Sequence, residues 1–463
     1  MTKSSFSAQT SFSAQSRPTA RPRATALVLL GAAAFLAACA EPDVILPGAR
    51  EDVRSVLQND PTSEAEQLAF AGNQNRAIAL PAARVNADWT QSTGSPATRV
   101  SHPALGAAPV LQWAADIGEG DSRKYRITAD PVVADGRIFT LDAQSLVTAT
   151  STSGATLWRA DLRPARDQQG DATGGGLVVA QDTVYVSLGL GLLAAVDAAT
   201  GATRWTQQLD ASASGTPAVS GDLVYVTAGD STGWAVNRAD GTVVWQIGAS
   251  ADVSNVLGAP APAVTEDLAI FAFGSGEVQA VFRQGGLNRW DASVLGSRPG
   301  RALSNISDVT AAPVVDAGKV YVGNQSGRIA ALDLATGARL WTARDGAIGP
   351  VWPAGDSVFA ISDLNELLRI DASDGAKIWG VPLPNFTDRR PRRQGSVVPH
   401  HGPIVAGGRV IVASGDGALR LFDPASGALA ASIEIPGGAT TAPVVAGATL
   451  YVVSARGQLL AYR

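Results

Sequence analysis

The chain has 463 residues, with 36 basic and 41 acidic side chains and a formal net charge of −5. Its single cysteine excludes an internal disulfide, and its acidic balance argues against binding to nucleic acid. Outside the N-terminus, no long segment has the 3.6-residue apolar period of an amphipathic helix. These features exclude a mostly helical repeat protein and favour an all-β chain.

The first 38 residues have the pattern of a secretory signal, because basic side chains precede an apolar stretch over residues 24–38. About fifteen apolar residues are too few to span a bilayer, which needs roughly 20. The stretch ends in Leu36-Ala37-Ala38-Cys39, which resembles the bacterial lipoprotein processing site. We therefore predict a lipoprotein signal peptide over residues 1–38 and lipid attachment at Cys39.

The residues after Cys39 indicate to which membrane the lipoprotein would be sorted. Ala40 and Glu41 follow, without the adjacent Asp that marks inner-membrane retention in enteric bacteria. This favours a lipid anchor on the periplasmic face of the outer membrane. Removal of residues 1–38 would leave 32 basic and 41 acidic groups, a net charge of −9.

Residues 39–105 lack the strand pattern of the remaining chain and are rich in Ala, Pro, Ser and Asn. Residues 51–57 are the one plausible helical turn in this stretch. We predict a lipidated tether, which as about 65 residues of flexible chain would reach roughly 40–50 Å. Trp89 is the one residue in it that we expect to dock onto the folded domain.

From residue 106 onward a short sequence motif recurs, in which a turn ends in Gly and Trp follows four positions later. Successive tryptophans lie 38 to 51 positions apart, which is the period of a four-stranded propeller blade. Short β-branched runs bounded by Gly-containing turns fill each interval and indicate strands. The tryptophans of these copies are Trp158, Trp205, Trp245, Trp290, Trp341 and Trp379.

Residues 331–341 illustrate the expected role of each residue in one copy of this motif. The Asp333 carboxylate can accept hydrogen bonds from turn amides, and Gly337 supplies the positive φ that the turn needs. Trp341 then lies on the outer strand, where its ring can fill the wedge between radially arranged sheets. The small Ala331 leaves room for that ring.

The outer strands number eight, at positions 113, 158, 205, 245, 290, 341, 379 and 431, and Ala431 replaces the tryptophan of the seventh blade. The chain ends with three strands of an eighth blade, and the strand of Trp113 supplies the fourth. We therefore predict an eight-bladed β-propeller over residues 106–463. Pairing of its N- and C-terminal strands would close the ring and remove an exposed edge.

The spacing Ala-x-Asp-x-x-Thr-Gly-x-x-x-Trp resembles the tryptophan-docking motif of the pyrroloquinoline-quinone-type propeller family, and residues 195–205 and 331–341 match it in full. That family includes dehydrogenases in which the quinone lies over the central channel, with calcium, acidic catalytic residues and a disulfide of neighbouring cysteines. This chain has one cysteine and no long insertions, so we predict the fold without cofactor or enzyme activity. A quinone-dependent periplasmic oxidoreductase is the alternative.

Two other groups of residues carry candidate chemistry. None of His102, His400 and His401 has a His or Cys partner at zinc-ligand spacing, so we predict no metal site and interpret His400 as structural. The one strong charge run is at residues 389–393, before the seventh blade. It is either a solvated loop or a patch for an acidic protein surface or for lipid phosphates. The run reads Arg389, Arg390, Pro391, Arg392 and Arg393.

The lipidation signal, the closed ring and the absence of catalytic groups together resemble the BamB family, lipoproteins of the outer-membrane β-barrel assembly (BAM) machinery. The resemblance extends from about Leu36 to Arg463. It implies a non-catalytic scaffold that binds the periplasmic POTRA region of BamA and helps unfolded outer-membrane proteins reach it. A second alternative is a cell-envelope binding propeller for another partner, such as peptidoglycan or a polysaccharide.

The family's contact surface lies on the two connections before and after the blade that ends in Trp290. The resemblance therefore implies partner contacts by Val256 and Leu257 in the first connection, and by Asp308 and Thr310 in the second. Asp308 matches the family pattern and is the candidate ion-pairing residue. Leu257 stands where the family's well-studied member has Arg, and Thr310 replaces a second acidic residue.

Overall fold

The computed structural model describes residues 72–164, 174–209, 211, 215–250, 259–296, 309, 311–388 and 390–463. Within these residues the strands form eight four-stranded antiparallel sheets. The first strands of neighbouring sheets contact one another, so they surround a central channel and the fourth strands form the rim. The predicted class, an all-β eight-bladed propeller, is confirmed. No helix in the described part of the chain is long and apolar enough to cross a membrane.

Blades 1 to 4 follow one another along the chain, each with its strands in order from channel to rim. Blade 1 consists of β2 (Val132–Ala134), β3 (Arg137–Leu141), β4 (Leu146–Ser151) and β5 (Thr156–Asp161). Blade 2 consists of β6 (Gly175–Ala180), β7 (Thr183–Leu188), β8 (Leu192–Asp197) and β9 (Thr203–Gln208). Blade 3 consists of β10 (Ala218–Ser220), β11 (Leu223–Thr227), β12 (Thr232–Asn237) and β13 (Val243–Gly248). Blade 4 consists of β14 (Ala263–Val264), β15 (Leu268–Ala272), β16 (Glu277–Phe282) and β17 (Asn288–Ser293).

Blades 5 to 7 repeat this arrangement, and blade 8 combines both ends of the propeller. Blade 5 consists of β18 (Val314–Asp316), β19 (Lys319–Gly323), β20 (Ile329–Asp333) and β21 (Arg339–Ala343). Blade 6 consists of β22 (Trp352–Ala354), β23 (Ser357–Ile361), β24 (Glu366–Asp371) and β25 (Lys377–Pro382). Blade 7 consists of β26 (His400–Ala406), β27 (Arg409–Ser414), β28 (Ala418–Phe422) and β29 (Leu429–Glu434). Blade 8 consists of β30 (Val444–Ala446), β31 (Thr449–Ser454), β32 (Gln458–Tyr462) and β1 (Leu111–Asp116).

Blade 8 closes the ring as the sequence predicts. Strand β1 pairs antiparallel with β32, from Leu111 opposite Tyr462 to Asp116 opposite Gln458. Just beyond the strands, Val110 and Arg463 exchange backbone hydrogen bonds of 2.9 and 3.0 Å. The strand near the start of the propeller therefore covers the edge that the last strand would otherwise expose.

Tryptophans on the outer strands join each blade to the next. Trp341 of blade 5 donates its indole N–H to the Ala372 carbonyl of blade 6, at 3.1 Å. Its ring covers Gly375, which has a φ of +78° and whose added Cβ would lie 2.6 Å from a ring atom. Glycine is thus needed there both for its backbone conformation and for space. Among the described residues the same docking occurs at Trp113, Trp158, Trp205, Trp245, Trp290, Trp341 and Trp379.

The junction between blades 7 and 8 differs, because Ala431 lies at the tryptophan position of β29. Here Tyr462 of blade 8 donates its hydroxyl to the Glu434 carbonyl of blade 7, at 2.8 Å. The Tyr462 ring is fully buried. A tyrosine on the third strand therefore links the two blades where the outer-strand tryptophan is missing.

The turn before the outer strand has the expected local chemistry in blades 2, 5 and 7. The Asp333 carboxylate accepts hydrogen bonds from the hydroxyl and amide of Thr336, at 2.7 and 2.9 Å. These bonds hold the pKa of Asp333 below its usual range. Asp197 and Asp423 make the equivalent contacts with Thr200 and Ser426.

Candidate functional site

Residues 72–105, which belong to the predicted tether and which we call the N-terminal segment, pack against the propeller. The Asn73 side chain exchanges hydrogen bonds of 2.9 and 3.0 Å with the backbone of Gly380, on the outer strand of blade 6. Arg76 donates its backbone N–H to the Ala425 carbonyl of blade 7, at 3.2 Å. The prediction of a flexible tether is therefore wrong for these residues, which reach the propeller between blades 6 and 7.

Within this stretch, residues 86–99 lie across the central channel, and we call them the channel plug. Valines at the same register position on the inner strands of five blades donate their backbone N–H to the plug, with N···O distances of 2.8 to 3.2 Å. These donors lie at the free edges of the inner strands, so the plug satisfies groups that would otherwise lack partners. They are Val133, Val179, Val219, Val264 and Val315.

Blade 6 has Pro353 at that register position, which has no N–H to donate. There the plug supplies the donor instead, since the Arg99 guanidinium bonds the carbonyls of Pro350 and Val351 at 2.6 and 3.1 Å. The same guanidinium lies 5.0 Å from the ring centre of Trp352, a cation–π distance. Burial lowers the pKa of Arg99 to about 10, so it stays cationic at neutral pH.

Trp89 is the largest side chain of the plug, and it docks as the sequence predicts. It is only 1% exposed, and its backbone exchanges two hydrogen bonds of 2.8 Å with Val133 of blade 1. Its ring lies 6.1 Å from that of Trp352 in blade 6. One residue therefore contacts blades that are not adjacent in the ring, so the centre of the channel is filled by the chain itself.

The histidines take part in structural hydrogen bonds. His102, just after the plug, bonds the Pro81 carbonyl through Nδ1 and accepts the Gly408 N–H at Nε2. His400 bonds Ser414 through Nδ1 and the Pro384 carbonyl through Nε2, at 2.7 and 2.9 Å. Burial lowers the pKa of His400, and it lowers that of His401 to about 4, so both are neutral at pH 7. Among the residues that the structure describes, no group of three or more His, Cys, Asp or Glu side chains could hold a metal.

Arg369 holds the point where the N-terminal segment reaches the ring, and sequence reasoning missed it. It lies opposite Trp379, the register position at which Ala331 lies opposite Trp341 in blade 5. Its buried guanidinium bonds Ser357 at 2.8 Å and pairs with Asp356 at 3.3 Å. It also donates to four backbone carbonyls, those of Arg76, Ala77, Pro424 and Ala425. The available signal was Arg in place of Ala two residues before Asp371.

The residues for which the family resemblance implies partner contacts lie outside the described residues, as does Cys39. The contact candidates are Val256, Leu257, Asp308 and Thr310. Val309, between the last two, is described and fully buried, and its N–H faces the Phe273 carbonyl of blade 4 at 3.4 Å. Val309 is thus held beside blade 4.

A polar cleft of about 580 Å³ lies between blades 3 and 4, where the described parts of both connections begin. Glu277 on β16 of blade 4 accepts hydrogen bonds from the amide and hydroxyl of Ser250, at 3.0 and 2.6 Å. Asp291 on the neighbouring strand β17 accepts two hydrogen bonds from the Asn288 amide, both at 2.8 Å. The described surface beside the two connections is therefore acidic and polar.

Residues 143–381 and 388–463 match the family described as outer membrane protein assembly factor BamB. The chain belongs to this family. BamB of Shewanella oneidensis is 24% identical over 361 residues, which are 76% of this chain and 88% of that protein. BamB of Escherichia coli (strain K12) is 23% identical over 349 residues, 74% and 86% of the two chains. The resemblance predicted from the sequence is confirmed.

Solved structures of two kinds share the fold. The crystal structure of BamB from Moraxella catarrhalis matches with a TM-score of 0.63 at 18% identity, covering 77% of this chain and all of that one. Quinohemoprotein alcohol dehydrogenase from Comamonas testosteroni matches with a TM-score of 0.62 at 15% identity, covering 82% and 81%. These likenesses establish the propeller and do not separate an assembly factor from a quinone enzyme.

Proposed function

We propose that this protein is a non-catalytic scaffold of the BAM machinery, anchored through a lipid on Cys39 to the periplasmic face of the outer membrane. The observation that carries the proposal is the family match over residues 143–381 and 388–463, which includes most of the propeller. The channel plug supports it, since the chain's own Trp89 and Arg99 occupy the centre of the ring. A scaffold needs the rigid ring and its loops but no open channel.

We further propose that the partner is the POTRA region of BamA, bound through the connections on either side of blade 4. Two adjacent connections on a rigid ring can together form one docking surface of ordinary size, about 800 Å² per partner. Asp308 would form an ion pair with a basic residue of the partner. Glu277 and Asp291 in the neighbouring cleft add negative charge, which favours the approach of a basic surface.

Unfolded outer-membrane proteins are the second proposed partner. The outer strands of the blades each present one unpaired edge, and apolar side chains on them are exposed, among them Leu157, Val243 and Leu340. An extended substrate strand could add to such an edge through main-chain hydrogen bonds. The rim would then hold substrate near the partner that inserts it.

Asp308→Arg is expected to reduce capture of BamA from detergent-solubilised membranes by about tenfold, because the new charge would repel a basic partner. Affinity capture and quantitative immunoblotting measure this. Asp222→Arg is the matched control, since Asp222 is exposed in the turn between β10 and β11 of blade 3. Unchanged capture by a folded Asp308→Arg protein would show that the interface lies elsewhere. Capture of an envelope polysaccharide in place of BamA would support the alternative binding propeller.

An oxidoreductase would bind the quinone and turn over substrate, whereas the proposed scaffold should do neither. Titration of the purified protein with pyrroloquinoline quinone and calcium should give no saturable change in absorbance, because the plug occupies the channel and a single cysteine cannot form the disulfide found in the quinone enzymes. Methanol and ethanol with an artificial electron acceptor should give no turnover. Saturable binding with turnover would replace the scaffold proposal with an enzyme.

A further inference from the structure

A short hairpin follows the outer strand of blade 6 and carries most of the basic run that the sequence shows. Phe386 and Val397 form an isolated antiparallel bridge at its neck. Thr387 donates its N–H to the Ser396 carbonyl at 3.1 Å, and Val398 donates to the Asn385 carbonyl at 3.0 Å. Beyond the neck, Pro391–Arg393 form a single 3-10 turn. We call residues 385–388 and 390–398 the basic hairpin.

The basic hairpin exposes both charge and apolar surface. Arg390, Arg392 and Arg393 are exposed, and in the described part of the chain none of them forms an ion pair with a carboxylate. Its one acidic residue, Asp388, accepts the backbone N–H of Arg390 at 2.9 Å. The neck residues Phe386 and Val397 are 39% and 59% exposed. The exposed arginines and the exposed aromatic ring together suit a surface with anionic groups on the outside and an apolar layer behind them.

The hairpin also lies close to the place where the N-terminal segment meets the ring. Asn73 is bonded to Gly380 on β25, which ends at Pro382, and the hairpin starts at residue 385. The six Cα–Cα steps from Gly380 to Phe386 span at most about 20 Å. In sequence, 34 positions separate Asn73 from Cys39, and even fully extended they span at most about 120 Å. Asn73, among the first described residues after the proposed anchor, therefore contacts blade 6, the blade that the hairpin follows.

We propose that the basic hairpin is a second membrane contact, which binds the phosphate groups of anionic phospholipids and turns the rim of blade 6 toward the bilayer. The proposal rests on the proposed lipid anchor at Cys39. Guanidinium groups bind phosphate oxygens in a bidentate way, and a lipid already tethered to the chain raises the local concentration of headgroups. Exposed Phe386 and Val397 favour a lipid surface over an acidic protein, whose surface offers no apolar layer behind its charges.

The net negative charge of the protein means that a local basic patch would determine which side of it faces an anionic membrane. The chain without residues 1–38 would carry a net charge of −9, so most of its surface is repelled by an anionic membrane. A cluster of three exposed arginines reverses that repulsion at one place. The hairpin thus selects which part of the rim faces the lipid.

Vesicle binding tests the proposal without involving BamA. Residues 39–463 with Cys39→Ser, produced without acylation, should co-sediment with vesicles that contain phosphatidylglycerol and not with vesicles of phosphatidylcholine alone. The triple variant R390E/R392E/R393E should bind the anionic vesicles at least about 100-fold more weakly, since each basic residue near such a surface contributes severalfold in affinity. Binding should also weaken as salt is raised.

The control variant R84E/R289E/R463E makes the same charge change at three exposed positions outside the hairpin. It should bind the anionic vesicles within about threefold of the parent. Equal loss in both triple variants, or no loss in the hairpin variant, would overturn the proposal. Phe386→Ser should weaken binding further at high salt, where the apolar contact dominates.

The outcome also separates this proposal from the proposed function. The hairpin variant should capture BamA normally, and Asp308→Arg should bind vesicles normally. If the hairpin variant instead loses BamA capture and the parent ignores anionic vesicles, an acidic protein surface is the occupant and the membrane contact is refuted. Failure of Asp308→Arg to affect BamA capture would leave the vesicle result unaffected.

Discussion

Replacing β1, six residues long, with a Gly/Ser segment of the same length should prevent the chain from forming a stable ring. The strand pairs with β32 and carries Trp113, whose indole donates to the Thr152 carbonyl of blade 1 at 3.1 Å. Loss of a fully buried Trp costs about 3–5 kcal/mol, and the partly buried Trp113 contributes less, but the replacement also removes the whole pairing with β32. The domain as a whole is stabilised by only about 5–15 kcal/mol. Thermal unfolding followed by circular dichroism measures the effect.

The matched control puts the same Gly/Ser segment in place of residues 390–395 of the basic hairpin, where residues 390 and 392–395 are exposed. That change removes no strand and should cost less than about 1 kcal/mol. If the β1 replacement melts like the control, closure through blade 8 contributes little and the ring is held by other contacts. Substituting β1 and keeping its length ensures that the N-terminal segment still reaches the channel.

The ring could be predicted from sequence because its stabilising contacts repeat. In blade 5, Asp333, Gly337 and Trp341 lie within nine positions of one another, and the Gly and Trp recur at the same spacing in blades 1 to 6. The turn glycine shapes the turn of its own blade and also contacts the tryptophan ring of the preceding blade. The junction without a docking tryptophan could also be predicted, since Ala431 lies at the spacing where the other outer strands have Trp.

The channel plug could not be predicted in the same way, because its contacts do not repeat and join distant parts of the chain. Arg99 bonds the carbonyl of Pro350, 251 positions away, and Trp89 pairs with Val133 through the backbone alone. Backbone hydrogen bonds can be made by almost any residue, so they leave no pattern in the composition. Pro353 explains the use of Arg99 only once the register of the inner strands is known.

The candidate partner site is a different case, since its residues were inferred from family resemblance rather than from local chemistry. Asp308 and Leu257 belong to connections whose sequences have no repeat and no turn signature. The structure describes buried Val309, next to Asp308 in sequence, and the cleft with Glu277 and Asp291 beside the described ends of the two connections. The described lining of this cleft includes two carboxylates and no basic side chain.

Arg369→Ala should lower the free energy of unfolding by about 3–5 kcal/mol, as expected when one partner of a buried polar network is removed. Alanine would leave the carbonyls of Arg76, Ala77, Pro424 and Ala425 without this donor, and Asp356 with one fewer cation. Blade 5 has Ala331 at the equivalent position, where alanine serves to make room for the docking Trp341. Urea denaturation of the purified protein measures the change.

Arg159→Ala is the matched control, because Arg159 pairs with Asp116 at 2.7 Å but both side chains are exposed, at 41% and 66%. Such a surface pair contributes only about 0–1 kcal/mol. Arg369→Lys should fall between the two, since an ammonium keeps the charge but cannot reach four carbonyls at once. Limited proteolysis adds a local readout: Arg369→Ala should be cleaved faster within residues 72–85, and Arg159→Ala should not. If Arg369→Ala is as stable and as resistant as the control, the segment is held between blades 6 and 7 by Asn73 and the salt bridges of Arg76 with Asp356 and Asp371, not by the buried guanidinium.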